Sequence, residues 1–279
     1  MNTLQKAKTS VVFDRVIHKS KLLFDSCLVD IGFKKIESLK VGINTIYNDD
    51  VFLVSYPKSG NTWIRFIIAN LSNHQQEITF RNIEAYVPDI YKSKKYINKL
   101  QQRPRFIKTH DTEYEYYPKI VYVYRDGRDV AVSFYYYLVG RGEFNGTFSE
   151  FLRFNPGWGA LGWNNHVSTA LKHSEKHPDS ILFIKYEDLI QSSFKTVDNL
   201  AKFCNLHSDR EQIEKAIDRC KFDNLKRIEN KYGAEDKKYK HKFFRSGTSG
   251  QWQTMFSDRD LKDYMLIAGK TLKKLGYAN

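Results

Sequence analysis

Residues 51–63 decide the fold and read Val51-Phe-Leu-Val-Ser-Tyr56-Pro57-Lys58-Ser59-Gly60-Asn61-Thr62-Trp63. The first six residues predict a buried strand, and a Pro/Lys/Ser/Gly turn follows them. Residues 62–72 then have helical spacing. Such a loop points backbone N–H groups and a helix N-terminus at one spot, which attracts phosphate-like anions. Lys58 adds a positive charge, and the hydroxyls of Ser59 and Thr62 add hydrogen-bond donors.

Other runs along the chain predict the rest of an α/β domain. Apolar, β-branched or aromatic runs predict further strands at 105–108, 119–124 and 181–186, and helical spacing occurs at 128–139, 160–176, 192–204, 209–219 and 258–275. Strands that alternate with helices favour a mainly parallel central sheet flanked by helices. No repeat or linker divides the chain, so one domain is expected over 1–279, with an N-terminal helical extension at 1–50.

The composition indicates an anionic partner and a reducing compartment. The chain of 279 residues has 45 Lys and Arg against 32 Asp and Glu, a net charge of +13. Such an excess suits nucleic acid, a membrane surface or a polyanionic cofactor. Three cysteines without CxxC spacing are typical of a reduced, cytoplasmic chain and favour neither a disulfide scaffold nor a metal site. No apolar run is long enough to span a membrane, and the N-terminal residues are not expected to form a signal peptide.

Two further segments place polar side chains at predicted strand ends. Arg125 ends the strand 119–124, an Asp-Gly turn follows it, and Ser133 falls on the next helix. A guanidinium at the carboxyl end of a parallel strand can hold a phosphate through two hydrogen bonds. In the other segment, Lys108-Thr-His110 ends a short strand, and a histidine is a suitable proton acceptor at neutral pH.

The loop, these two segments and a C-terminal segment resemble, in order, the sulfotransferases that use 3′-phosphoadenosine 5′-phosphosulfate (PAPS). The resemblance covers residues 51–252 and makes residues 57–63 a P-loop-like phosphosulfate-binding loop. The C-terminal segment, Arg245-Ser246-Gly247-Thr-Ser-Gly250-Gln251-Trp252, is similar to the family's Arg-Lys-Gly segment. Ser246 stands where a Lys is usual and Gln251 where an acid is usual, so one phosphate cation is lost.

The resemblance implies PAPS as sulfuryl donor and adenosine 3′,5′-bisphosphate (PAP) as product. It implies that His110 is the base, that Lys58 donates to the bridging oxygen, that Lys108 assists and that Ser133 holds Lys58 back until the acceptor binds. No metal is implied. The cofactor-binding residues implied are Lys58, Ser59, Gly60, Asn61, Thr62, Trp63, Arg125, Ser133, Tyr186, Phe222, Arg245, Ser246 and Gly247. Residues 226–250, which are basic and without clear periodicity, are expected to form a loop over the cofactor.

Two other functions fit parts of the sequence. A P-loop kinase would share the fold and loop position, but the Lys precedes the Gly and the Gly-Lys-Ser/Thr order is missing. A basic nucleic-acid-binding module would account for the charge of +13 and the Lys-rich segment 226–250. We expect neither nucleic acid nor membrane as partner, and the oligomeric state stays open.

The acceptor is expected to be a small molecule with a hydroxyl or an amine. Asp111, Glu113 and Glu115 follow the predicted base, and an extended segment would put them on one face near the acceptor. Carboxylates there favour a cationic acceptor, such as a nitrogen-bearing secondary metabolite.

Overall fold

Four short strands form one parallel sheet in the computed structural model, which describes Ile43 and residues 46–154, 157–234 and 242–279. The strands are β1 (Val51–Ser55), β2 (Phe106–Thr109), β3 (Lys119–Tyr124) and β4 (Ile181–Lys185). Their order across the sheet is β2-β1-β3-β4, and all neighbours run parallel. The predicted α/β fold is confirmed, and each strand lies within one residue of its predicted bounds.

Strand β1 is buried on both faces because its side chains alternate between two apolar clusters. Phe52 and Val54 belong to one cluster, and Val51 and Leu53 belong to the other. None of the four is exposed to solvent. A continuous apolar run was therefore the correct signal for a central strand.

Helices cover both faces of the sheet. In the described part of the chain the helices are α1 (Asn61–Ser72), α2 (Lys94–Ile97), α3 (Gly127–Arg141), α4 (Phe148–Phe154), α5 (Ala160–Lys176), α6 (Tyr186–Gln191), α7 (Ser193–Phe203), α8 (Arg210–Arg219), α9 (Phe222–Tyr232), α10 (Trp252–Met255) and α11 (Asp258–Lys274). The cluster around Phe52 includes side chains from α3, α4, α5 and α11, and the cluster around Leu53 includes side chains from α1, α7, α8 and α9. None of these helices is both long and apolar enough to cross a bilayer.

The sheet order brings the predicted site segments together. Strand β1 lies between β2 and β3, so the chain leaves β1 toward one neighbour and returns on its other side. Ligands in open parallel sheets bind at such a switch point, beyond the carboxyl ends of the strands. The loop after β1, His110 after β2 and Arg125 after β3 all lie at this edge.

Parts of two predicted segments have a different secondary structure from the one expected. Helix α6 begins at Tyr186 directly after β4, so residue 186 belongs to a helix and not to the strand. Helix α9 extends to Tyr232, so the prediction of an irregular stretch was wrong for residues 226–232. Leu225 and Ile228 of α9 are buried in the apolar cluster around Leu53, and this burial stabilises the helix. Its many charged residues hide the helical pattern in the sequence. The predicted extension at 1–50 lies outside the described residues except for Ile43 and 46–50, as do residues 235–241 of the predicted loop.

Candidate active site

The loop after β1 forms a tight turn with an unusual backbone conformation. Lys58 has φ 69° and Gly60 has φ 108°, both in the left-handed region, and α1 begins at Asn61. A Cβ on Gly60 would lie 2.7 Å from Cδ2 of Tyr186, so the glycine lets the loop approach that ring. The first N–H groups of α1 have no partner within the helix, and Gly60, Asn61 and Thr62 line the central cavity. The turn and the helix start thus lie where the sequence predicted them, and the binding of an anion there stays a prediction.

Asn61 fixes this loop to the strand before it. Its side-chain amide donates to the carbonyl of Leu53 at 3.0 Å and to the hydroxyl of Ser55 at 3.2 Å. Within the described part of the chain, the hydroxyl of Ser59 is buried and has no hydrogen-bond partner. The side-chain amide N–H of Asn61 therefore ties the loop to β1, while the amide oxygen of Asn61 and the hydroxyl of Ser59 have no partner among the described residues.

His110 lies at the end of β2 with a defined tautomer. Its Nδ1 lies 2.6 Å from the carbonyl oxygen of Ser55. A carbonyl only accepts, so Nδ1 carries the proton and Nε2 keeps its lone pair. Burial, followed by the positive charge of Lys108, lowers the pKa of His110 to about 3. The imidazole is therefore neutral at physiological pH and able to accept a proton at Nε2.

Lys108 makes a buried ion pair that the sequence did not reveal. Its Nζ lies 2.6 Å from a carboxylate oxygen of Asp89, and both side chains are nearly inaccessible to solvent. The segment around Asp89 pairs with β2: the N–H of Lys108 donates to the carbonyl of Pro88, and the N–H of Ile90 donates to the carbonyl of Lys108. An ammonium group has three N–H donors, so the ion pair with Asp89 fixes its direction without using all of them.

Arg125 lies at the end of β3 against the ring of Tyr186. The centre of its guanidinium lies 4.4 Å from the ring centroid, and Nη2 donates to the carbonyl of Thr248 at 2.9 Å. Its buried Nε has no hydrogen-bond partner among the described residues. The side chain is thus held by the C-terminal segment and still has a donor for an anion.

The C-terminal segment is held by two carboxylates of other elements. Asp129 accepts hydrogen bonds from the N–H groups of Gly250 and Trp252, at 2.6 and 3.0 Å. Glu229 of α9 accepts from those of Phe243 and Phe244, at 2.6 and 3.0 Å. Residues 243–252 are therefore fixed at two points over the edge of the sheet.

The two departures from the family pattern lie in contact with each other. The amide of Gln251 donates to the hydroxyl of Ser246 at 2.7 Å, and Arg245 donates to the side-chain oxygen of Gln251. Gln251 thus links Arg245 to Ser246. Next to them, a Cβ on Gly247 would lie 2.4 Å from the ring of Phe222, so the backbone lies directly against this aromatic face.

A cavity of about 630 Å³ joins these groups. Every predicted site residue except Ser59 lines it. Trp63 and Tyr186 meet edge to face there, with ring centroids 5.4 Å apart. Residues that line the cavity but were missed in the sequence are Pro57, Asp89, Tyr91, Lys92, Phe134, Tyr137, Arg141, Leu225, Phe243, Phe244 and Gln251. Gln251 lies inside a recognised motif, whereas Asp89 and Tyr91 had no sequence signal.

Aromatic rings hold the lysine of the loop. The Nζ of Lys58 lies 4.4 Å from the ring centroid of Tyr137 and 4.8 Å from that of Phe243. Both contacts are cation–π interactions, which direct the ammonium group without neutralising its charge. Tyr137 is on α3 one turn after Ser133, so this helix supplies both the predicted partner of Lys58 and one of the rings that lie against it.

The acidic segment after His110 does not have the predicted arrangement. Tyr114–Tyr116 is a 3₁₀ turn, so Asp111, Glu113 and Glu115 do not alternate along an extended chain. None of the three lines the cavity in the described part of the chain. Asp111 is buried, and burial raises its pKa to about 7. The structural premise for a cationic acceptor was therefore wrong.

Comparison with known proteins identifies the family. The family profile described as "Sulfotransferase domain" matches residues 48–276. This chain belongs to the sulfotransferase family. Sulfotransferase 1B1 of Canis lupus familiaris is 31% identical, over 80% of this chain and 83% of the relative. Flavonol 4′-sulfotransferase of Flaveria chlorifolia is 32% identical, over 75% of each chain.

Solved structures share the fold. A mouse sulfotransferase complexed with PAP superposes with a TM-score of 0.64 at 21% identity, over 85% of this chain and 89% of that one. A retinol dehydratase in complex with retinol and PAP also gives 0.64 at 21% identity, over 85% and 86%. The predicted family, fold and sulfotransferase activity are confirmed, and the kinase and nucleic-acid alternatives receive no support. The roles of individual residues stay predictions.

Proposed function

We propose that this sulfotransferase transfers the sulfuryl group of PAPS to a hydroxyl or amine of a small-molecule acceptor, with His110 as the base. One observation carries the proposal: Nδ1 of His110 donates to Ser55, which leaves the Nε2 lone pair for the cavity next to the phosphosulfate loop. A base must be neutral and within reach of the acceptor proton to act.

The cavity has the groups that a polyanionic nucleotide requires. The orphaned donor of Arg125 and the N-terminus of α1 suit phosphate oxygens. At Gly60 and Gly247 the backbone lies directly against the rings of Tyr186 and Phe222, so peptide groups and aromatic faces adjoin in the lining of the cavity. Trp63, Tyr186 and Phe222 supply aromatic faces for adenine, and their presence at one cavity supports the predicted nucleotide roles. The PAP complexes of the two solved neighbours support the same donor.

The residues divide the chemistry between proton transfer and charge stabilisation. PAPS supplies a sulfuryl group attached to a phosphate leaving group. His110 accepts the acceptor's proton at Nε2, Lys58 stabilises the charge that develops on the bridging oxygen, and Lys108 stabilises the sulfuryl oxygens. Preorganised cations of this kind need no reorganisation at the moment of reaction. The ion pair of Lys108 with Asp89 and the aromatic contacts of Lys58 support this preorganisation.

The charges around the cavity favour a neutral or anionic acceptor over a cationic one. The carboxylate that lines the described cavity is Asp89, and it is already paired with Lys108. The cationic side chains that line it are Lys58, Lys92, Lys108, Arg125, Arg141 and Arg245. Tyr91, Phe134 and Tyr137 add aromatic surface. A phenol or another aromatic alcohol matches these walls, and one relative of this chain is a flavonol sulfotransferase.

We also propose a cytoplasmic location. Cys204 and Cys220 are free, buried thiols. Reduced cysteines agree with a reducing compartment.

The decisive experiment measures sulfation of a panel of phenols, alcohols and amines with labelled PAPS, first for the native protein and then for His110→Ala. We expect the substitution to lower kcat about 10²–10⁴-fold and to leave PAP affinity intact, because the imidazole acts on the acceptor and not on the nucleotide. His74→Ala, at an exposed position, is the matched control. Near-native turnover of His110→Ala with every acceptor would refute the assignment of the base.

A further inference from the structure

The backbone of His110 is held by side chains from two distant elements. Strand β2 ends at Thr109, so the peptide groups of His110 lie beyond the sheet ladder. The N–H of His110 donates to the hydroxyl of Tyr91 at 3.0 Å. Its carbonyl oxygen lies 3.0 Å from Nε2 of His166, which is on α5. These two side chains replace the strand hydrogen bonds that His110 lacks.

His166 has a fixed tautomer. The carbonyl of His110 only accepts, so Nε2 of His166 carries a proton. Burial lowers the pKa of His166 to about 4, so the ring is neutral at physiological pH and Nδ1 is an acceptor. Nδ1 lies 2.6 Å from the hydroxyl of Tyr122. Burial also raises the pKa of Tyr122 well above its usual value, so this hydroxyl stays protonated and donates.

A continuous chain of hydrogen bonds therefore runs from the centre of the sheet to the base. The hydroxyl of Tyr122, in β3, donates to His166, and His166 donates to the carbonyl of His110. The imidazole of His110 in turn donates to Ser55, the last residue of β1. The main chain of His110 is thus tied to β3 through His166, while its ring is tied to β1.

His166 does not act on the reactants directly. It is buried among the rings of Tyr56 and Tyr122 and does not line the cavity in the described part of the chain. His166 pairs two buried polar groups, the carbonyl of His110 and the hydroxyl of Tyr122, and an apolar side chain of similar size would leave both without a partner. Its two hydrogen bonds point to a role in the geometry of the site.

We propose that His166, oriented by Tyr122, is a positioning residue that holds the main chain of His110 so that Nε2 of the base faces the acceptor. The inference rests on the proposed role of His110 as base. Loss of the hydrogen bond to the carbonyl lets the His110 peptide rotate, and the imidazole moves with it. A displacement of about 1 Å at a reacting group can cost on the order of 10²-fold in rate.

The experiment compares His166→Leu, His166→Gln and Tyr122→Phe by steady-state kinetics and by PAP titration. We expect His166→Leu to lower kcat about 10–100-fold, with KM for PAPS and PAP affinity unchanged, because the base moves and the nucleotide site does not. Gln can still donate to the carbonyl, so kcat of His166→Gln should lie between those of His166→Leu and the native protein. Tyr122→Phe lowers kcat less than His166→Leu because the link to His110 itself remains.

Tyr114→Phe is the matched control. Its hydroxyl is also buried, it has no hydrogen-bond partner among the described residues, and its ring lies 6.5 Å from that of Tyr122. We expect native kcat from this variant. The Nδ1–H proton resonance of His110 gives an independent readout, which should shift in His166→Leu and not in Tyr114→Phe.

The outcomes separate the two proposals. Native kcat in His166→Leu, or an equal loss of kcat, PAP affinity and thermal stability in both His166 variants, overturns the positioning role. If His166→Leu does not fold, His166→Gln and Tyr122→Phe decide: an unshifted His110 resonance with native kcat in both overturns it as well. If His110→Ala itself keeps native turnover, the proposed base is wrong, whatever the His166 variants show.

Discussion

The carboxylate of Asp129 accepts a hydrogen bond from the backbone N–H of Gly250 at 2.6 Å, across 121 residues of sequence. Asp129 is in the first turn of α3 and lies 3.7 Å from the guanidinium of Arg125. The same carboxylate accepts from the N–H of Trp252. One side chain thus connects Arg125 with the segment that contains Arg245 and Gly247, and all three of these residues are predicted to bind the cofactor.

We predict that Asp129→Ala weakens PAP binding about 10-fold or more, because a hydrogen bond to a charged group contributes roughly 1.5–3 kcal/mol and two such bonds are lost. Isothermal titration with PAP measures the effect, and hydrogen exchange at residues 250–252 should increase in the same variant. Asp129→Asn keeps one acceptor oxygen, so its PAP affinity should lie between those of the native protein and Asp129→Ala. Asp263→Ala removes an exposed carboxylate on α11 whose distance to Arg259 is 4.0 Å, and it should change neither quantity. Native PAP affinity in Asp129→Ala would show that the segment is held by other contacts.

Contacts between distant parts of the chain, such as that of Asp129 with Gly250, could not be predicted from the sequence. Arg125, His110 and the loop at Lys58 were predictable because each directly follows an apolar strand, and parallel strands end at one edge. Asp89 was not predictable, since its partner Lys108 is brought to it by pairing of an isolated segment with β2. The hydrogen bond from His166 to His110 likewise joins a helix to a strand end, and no local pattern encodes such a pair.

The acidic segment after His110 shows how local reasoning failed. Three carboxylates at alternate positions indicated one face of an extended chain. Tyr114 and Tyr117 are instead buried in the core, and this burial turns the segment so that Glu115 is exposed while Asp111 is enclosed. The aromatic residues between the acids decided the conformation, because the apolar area they bury outweighs the weak preferences of an exposed acidic stretch.

We predict that His110 does not titrate near its ordinary pKa of about 6.5 in the folded enzyme. Burial and the charge of Lys108 lower its pKa to about 3, so the base form should persist as the pH falls from 8 to about 5. NMR titration of its ring resonances, assigned with His110→Gln, measures this directly. A ring titration near 6.5 would contradict the buried, neutral base.

We predict that His166 makes folding more favourable at neutral pH than in acid. Its pKa is lowered from about 6.5 to about 4, so the unfolded chain binds the proton first, and stability present above about pH 6.5 is lost as the pH falls toward 4. Asp111, with its pKa raised to about 7, acts in the opposite direction over part of this range. Asp111 is present both in the native protein and in His166→Gln, so its contribution cancels when the two are compared. By urea unfolding, the advantage of the native protein over His166→Gln should shrink by about 3 kcal/mol between neutral pH and pH 4. A constant difference would mean that His166 titrates normally in the fold.

We predict that Gly247→Ala weakens nucleotide binding through Phe222. Gly247 has φ 67°, and a Cβ there would lie 2.4 Å from the Phe222 ring. The methyl group must displace either the ring that is predicted to contact adenine or the backbone next to Arg245. Gly142→Ala is the matched control, because Gly142 has φ 72° and ψ 18° and a Cβ there would have no described neighbour within 4 Å. An alanine with positive φ costs roughly 1 kcal/mol or more at either position. Both variants should therefore lose thermal stability, while only Gly247→Ala should lose PAP affinity. Equal PAP affinity in the two variants would mean that the contact of Gly247 with Phe222 does not shape the nucleotide site.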